Sequence, residues 1–322
     1  MANEAYLLAA IPPASGGVVM GTGIVSTALS LDGSETLSRI LLVVAGCVWL
    51  ALGVLLAGRA AVERPRLRHE ARFPAALTGV AGTAVLGTRL AVLGWGWAGV
   101  ALLVVALVLW AALLTPVLTH WTRPTVGVSL MLTVSTESLA VLAATLAARE
   151  HADWLLYAAL APFLLGLGFY GFVIVRLDPR QVGVGRGDHW ITGGALAICA
   201  LAGGRIALGA KALATLGGGG IVEDLTLALW VLAMLWLPLL LLGEAMRPRP
   251  RYDVRRWATI FPLGMYAACS FVVGTVAGAS AIVSFARVWV WVATATWLVV
   301  FGAMLLRGLQ IVRDRPGRPS PL

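Results

Sequence analysis

The sequence predicts an all-α integral membrane protein of ten transmembrane helices, and three observations carry that prediction. Of its 322 residues, 60% are hydrophobic and only 12% charged, whereas soluble domains carry about 25% charged residues. Apolar stretches recur along the whole chain, each long enough to cross a hydrocarbon core of about 30 Å at about 1.5 Å per residue. Arginine collects in alternate loops, as expected of a chain that crosses the membrane back and forth.

The ten stretches run over 13–31, 37–58, 73–93, 95–119, 124–149, 152–176, 188–210, 223–246, 256–280 and 284–308. No loop between them is long enough for a separate soluble domain, so residues 1–322 read as one membrane domain. The loops after the even helices hold Arg59, Arg64, Arg66, Arg68 and Arg72, then Arg123, then Arg176, Arg180 and Arg186, then Arg247, Arg249, Arg251, Arg255 and Arg256. The C-terminal tail adds Arg307, Arg313, Arg315 and Arg318, leaving only Arg39, Arg89, Arg149, Arg205, Lys211 and Arg287 elsewhere. This bias predicts that the even loops and both termini are cytoplasmic, in a plasma or inner membrane, and divides the chain into five hairpins. The net charge of +9 therefore reads as membrane orientation, and no nucleic-acid partner is expected. Met1–Ala10 has no Lys or Arg before its first apolar residues, so a cleaved signal peptide is not expected.

Odd and even helices differ in composition. Glycine is frequent in the odd ones, including the pairs Gly16-Gly17, Gly193-Gly194 and Gly203-Gly204. Trp49, Trp110, Trp154, Trp230, Trp236, Trp289, Trp291 and Trp297 lie in even ones. Small residues let helices approach closely or line a narrow path, and large aromatics suit lipid and its interfaces. The simplest arrangement is five odd helices inside five even ones. Pro12, Pro13, Pro74 and Pro124 sit near helix starts, where a missing N–H costs little, while Pro162, Pro238 and Pro262 lie inside helices.

Polar residues at membrane depth are the candidate functional groups. Glu137, in Val134-Ser135-Thr136-Glu137-Ser138, falls near the middle of helix 5. A carboxyl there is costly against lipid, so it must face protein or a water-filled cavity. It is either a proton-titrating group on a path or a buried carboxyl bonded to a neighbouring helix. Arg89 and Arg205 fall late in helices 3 and 7; with Lys211 they form either a basic outer vestibule that concentrates anions or side chains that snorkel to the outer interface. Asp188 is placed to cap helix 7 and His189 reads as interfacial. Cys47, Cys199 and Cys269 form no CxxC pair and read as small buried hydrophobes. No HExxH, GxSxG or GxxxxGK[ST] motif occurs, so neither a hydrolase nor an ATP-driven pump is indicated, and no metal or cofactor is expected.

Three stretches carry a resemblance. Helix 1 opens Pro12-Pro13-Ala14-Ser15-Gly16-Gly17-Val18-Val19-Met20-Gly21-Thr22-Gly23-Ile24, helix 7 contains Gly187-Asp188-His189-Trp190-Ile191-Thr192-Gly193-Gly194, and helix 9 opens Trp257-Ala258-Thr259-Ile260-Phe261-Pro262-Leu263-Gly264-Met265. In order and placement these resemble the tellurite-resistance and dicarboxylate transporter family, which includes bacterial TehA and the plant guard-cell slow anion channels. The resemblance implies five helical hairpins around a pseudo-five-fold central pore, lined by odd helices, in a protein that tends to form trimers. It implies that Phe261 lies across the pore as a gate and that Gly17 makes room for its ring. Gly17, Gly21, Thr22, Gly82, Ser135, Glu137, Gly194 and Gly264 are then the expected pore-lining residues. A gated channel for small monovalent anions follows; the alternative is a proton-coupled carrier of a dicarboxylate, sulfite or tellurite-related anion that uses Glu137. A third reading, a receptor or scaffold, would show a dry, packed centre.

Overall fold

A computed structural model describes residues 12–121, 123–178, 180, 187–249 and 252–313. Met1–Ala10 and the loop or tail residues Arg186, Arg251, Arg315 and Arg318 lie outside the described residues. Ten helices are long and apolar enough to cross a bilayer among the described residues. They are α1 (Gly16–Leu31), α2 (Glu35–Val62), α3 (Thr78–Val92), α4 (Gly96–Thr119), α5 (Met131–Glu150), α6 (Asp153–Ile174), α7 (Trp190–Ala212), α8 (Gly220–Met246), α9 (Trp257–Val276) and α10 (Ser280–Arg313). A further short helix, Arg64–Glu70, follows α2.

Helix is the expected state because lipid cannot satisfy a free backbone N–H or C=O. Boundaries differ from the apolar runs where polar contacts intervene. The fifth helix begins at Met131, later than residue 124, because the Thr125 carbonyl accepts a bond from the Asp178 N–H at 3.2 Å and holds that segment extended. Gly127–Leu130 then enters α5 as a 3-10 turn. The α1–α2 and α3–α4 turns close at Gly33 (φ 90°) and Gly94 (φ 91°), a backbone region where a side chain is strained. Asp188 does not cap α7: the preceding residue is His189, and no side-chain cap bond forms there.

Burial divides the helices as their composition suggests. Between 72 and 100% of the residues in the odd spans are buried, against 17 to 28% in the even ones. The odd helices pack in a closed cycle, α1 on α3, α3 on α5, α5 on α7, α7 on α9 and α9 back on α1. Each even helix packs on its own hairpin partner and on the next odd helix, and α10 completes the circuit on α1.

The glycines explain how five helices close so tightly. A Cβ on Gly194 would lie 2.7 Å from Pro262 Cγ, and one on Gly264 would lie 2.8 Å from Ile24 Cγ2. Tryptophan has a role the composition did not convey. Trp49 Nε1 donates to Thr83 Oγ1, Trp110 to Thr136 Oγ1 and Trp297 to Thr22 Oγ1, each at 2.9 Å, and Trp230 donates to Ser270 Oγ at 2.8 Å. Four even helices thus send an indole N–H inward to a hydroxyl on the next odd helix. An indole in lipid needs such a partner. Trp154 and Trp291, by contrast, are exposed on the outer surface, as expected. Cys47 is exposed there too, unlike the buried Cys199 and Cys269.

Two ionic clusters tie the bundle. At the arginine-rich end, Glu244 of α8 accepts from Arg249 at 2.7 Å, from Arg256 at 3.0 Å and from Trp190 Nε1 at 3.2 Å. His189, just outside the Trp190–Ala212 span, is 3% exposed, and burial, then the nearby Arg249 charge, holds its imidazole below the usual range. At the opposite end, Arg89 Nη2 donates to both Glu35 oxygens at 2.7 Å and its Nε donates to Ser38 Oγ at 2.9 Å. Ser38 in turn bonds Ser26 of α1. Arg89→Met is expected to cost about 1–2 kcal/mol, less than a wholly buried pair because Glu35 keeps water access. Thermal unfolding in detergent checks this, and an unchanged midpoint refutes it.

Candidate functional site

A cavity enclosed by the inner ring takes residues from all five odd helices and from no even one: Ile24 and Thr27 of α1, Val85 and Thr88 of α3, Ser138 and Val141 of α5, Ile198, Leu201 and Arg205 of α7, and Met265 of α9. In the four helices that give more than one residue, the spacing of three or four puts each set on one face. The volume open to a water-sized centre is about 10 Å³, room for roughly one water, so the ring is closed here.

The chemistry of this lining is narrow. Thr27 Oγ1 donates to the Gly23 carbonyl at 2.9 Å, Thr88 Oγ1 to Ala84 at 2.9 Å and Ser138 Oγ to Ser135 at 2.7 Å. Each hydroxyl hydrogen is thereby committed to its own helix, leaving Arg205 as the donor available to a guest in the cavity. Its Nε is buried without a hydrogen-bond partner, and no acid pairs with it among the described residues. A cation held at low dielectric without a counter-charge attracts an anion.

Phe261 of α9 is 0% exposed. It precedes Met265 by four residues and so lies about one turn along the same face, toward the arginine-rich end. Gly17, expected to make room for its ring, leaves open space on all but one side of the place a Cβ would take. The non-local atom within 4 Å of a Cβ placed on Gly17 is Trp257 Cβ, at 3.4 Å. Gly21 likewise faces Trp257 and Ile260 of α9, Gly82 faces Val19 of α1, and Gly194 and Gly264 sit at the contacts given above. Gly21, Gly82, Gly194 and Gly264 serve contacts between adjacent inner helices, and neither they nor Gly17 line this small cavity.

Three polar expectations are also corrected. Thr22 faces outward to Trp297. Ser135 is not among these: its Oγ donates to the Leu132 carbonyl at 3.2 Å, and it stands one turn before Ser138 on the same face of α5, outside the small cavity. Glu137 points out of the ring. A Cβ on Gly166 of α6 would lie 2.7 Å from Glu137 Cγ, and the Cys199 thiol of α7 is beside the carboxyl. Both carboxyl oxygens are buried with no hydrogen-bond partner. Arg89 is no vestibule charge, since Glu35 matches it outside the cavity. Arg205 is the expected site residue that reaches the cavity. Ile24, Thr27, Val85, Thr88, Ser138, Val141, Ile198, Leu201 and Met265 were not singled out, and apolar or hydroxyl side chains on buried helices give little reason to.

Ten apolar spans, with five buried helices closed around a small cavity, define a multi-pass membrane protein. The chain belongs to the voltage-dependent anion channel family, whose family model matches residues 10–305. The resemblance read in helices 1, 7 and 9 therefore holds. Two curated relatives, both uncharacterized membrane proteins of Mycobacterium tuberculosis (strains CDC 1551 and H37Rv), are 31% identical over 137 residues, 41% of this chain and 69% of theirs.

Proposed function

We propose that this protein is a gated channel for small monovalent anions such as chloride or nitrate, with its path along the centre of the inner ring. The supporting observation is the cavity bounded by all five odd helices, with the unpaired Arg205 in its wall. In this reading Phe261 closes the path as an apolar plug, by sterics and dewetting. The five hairpins stand around a pseudo-five-fold axis. The arginine-rich end and both termini face the cytoplasm of a cell expressing the protein in its plasma or inner membrane, and the functional unit is a homotrimer.

The test is flux of chloride and nitrate from liposomes, wild type against Phe261→Ala. A centre this full also suits a scaffold, and failure of every ring-trimming variant to conduct would favour that reading.

The buried, unpartnered carboxyl of Glu137 keeps a second reading in play, a proton-coupled carrier of a dicarboxylate, sulfite or tellurite-related anion. Its position between α5, α6 and α7 supports the channel instead. Glu137→Gln is expected to leave the pH dependence of anion flux unchanged. Loss of that dependence in the variant would establish the carrier.

A further inference from the structure

A second, larger cavity of about 650 Å³ opens at the arginine-rich end, between α2, α4, the short helix Arg64–Glu70 and the start of α1. Its volume falls in the ligand-site range of about 300–1,000 Å³. One part of the wall is apolar, formed by Leu52, Leu55 and Leu56 of α2 and Leu109 and Leu113 of α4. The outer faces of the same two helices expose Val54, Val104, Leu107 and Val108, the surface expected against acyl chains, so the cavity adjoins lipid.

The other part of the wall is charged, and its charges do not cancel. Arg59 Nη2 donates to Glu70 at 2.7 Å and its Nε lies 3.6 Å from Glu63. Arg66 pairs with the same two carboxylates. Two arginines and two glutamates thus offset one another. Arg64 and Arg68 remain, one turn apart on the short helix, both exposed and both in the cavity wall. Arg64 Nε donates to the Ala60 carbonyl at 3.0 Å, which leaves its two terminal nitrogens for a ligand. Neither arginine has an acidic partner among the described residues.

We infer that this cavity is a binding site for one anionic phospholipid, its phosphate on Arg64 and Arg68 and an acyl chain between α2 and α4. Guanidinium forks match phosphate oxygens, and basic pockets between transmembrane helices suit anionic headgroups. The apolar wall continues the site into the depth of an acyl chain, which a free inorganic phosphate would not use. The inference does not depend on what the central path conducts.

Native mass spectrometry of the full-length protein, with phosphatidylglycerol or phosphatidylcholine of identical chains added, tests it. The wild type retains phosphatidylglycerol preferentially. R64Q/R68Q weakens that binding about 25-fold, a factor of about five from each arginine. Arg72→Gln, outside the cavity wall, keeps the preference. Equal retention of both lipids by the wild type, or equal loss in Arg72→Gln, overturns the site. A photo-crosslinking residue at Leu113 identifies the occupant. A lipid adduct supports the inference, whereas crosslinks only to residues 1–11 or to a second copy of the chain overturn it.

Discussion

Phe261→Ala is expected to turn a nearly silent protein into a conducting one. The ring lies one turn along α9 from Met265, in a core where the residual cavity holds about 10 Å³. An ion passing there must shed water with little to replace it beyond Arg205, because the Thr27, Thr88 and Ser138 hydroxyls already donate to their own backbones. On the proposed path, removing the ring widens the section next to the cavity and lets water enter with the ion. If that recovers about 3 kcal/mol, within the range for stripping a polar group of its partners, flux rises on the order of a hundredfold. Truncation also leaves a cavity costing roughly 3–5 kcal/mol of stability, so Phe261→Leu belongs in the same experiment. It is less disruptive and should fall between the two. Chloride-loaded liposomes with a fluorescent readout measure all three. If both variants fold and neither exceeds the wild type, Phe261 is a core residue and the gate lies elsewhere.

The fold was legible because the hydrophobic effect and the backbone's need for hydrogen bonds act over whole segments. Twenty apolar residues in a row have few other uses. The inner and outer helices were legible too, since glycine and tryptophan differ in bulk. Direction within a helix was not. Trp110 and Trp297 counted as lipid-facing from size alone, yet each has one N–H that lipid cannot satisfy. That single donor turns them toward Thr136 and Thr22.

Glu137 shows the same limit at the site. Depth along α5 can be counted from sequence, and Glu137 does stand near the middle of the Gly127–Glu150 span and is 0% exposed. Rotational phase decides which side it faces, and one residue shifts the phase by about 100°. Ser138 reaches the central cavity; Glu137 faces Gly166 and Cys199. The α6–α7 junction therefore holds a carboxyl where four other junctions hold an indole bonded to a hydroxyl. The glycines mislead for a related reason. Close helix contact and a narrow lumen both call for small residues, and here contact accounts for Gly21, Gly82, Gly194 and Gly264 but not for Gly17, where a Cβ would meet its neighbour at an ordinary 3.4 Å.

Arg89 and Arg205 looked alike in sequence, each a late arginine on an odd helix, and the structure separates them. Glu35 and Ser38 take up the first; the second meets the cavity with no acid. At an effective dielectric of about 20, a unit charge about 6 Å from an anion contributes about 3 kcal/mol. Arg149 adds to the positive field at Arg205 and persists when Arg205 is neutralised. Arg205→Gln is therefore expected to reduce chloride flux roughly 10- to 100-fold in a Phe261→Ala background, where conduction is easily read. Arg205→Lys should keep most of it, since charge rather than the planar fork is what the cavity uses. Arg89→Met should leave flux per folded protein unchanged despite its cost in stability. Equal losses for Arg205→Gln and Arg205→Lys would mean that the guanidinium shape, not its charge, matters, and no loss in either would place the anion's path away from α7.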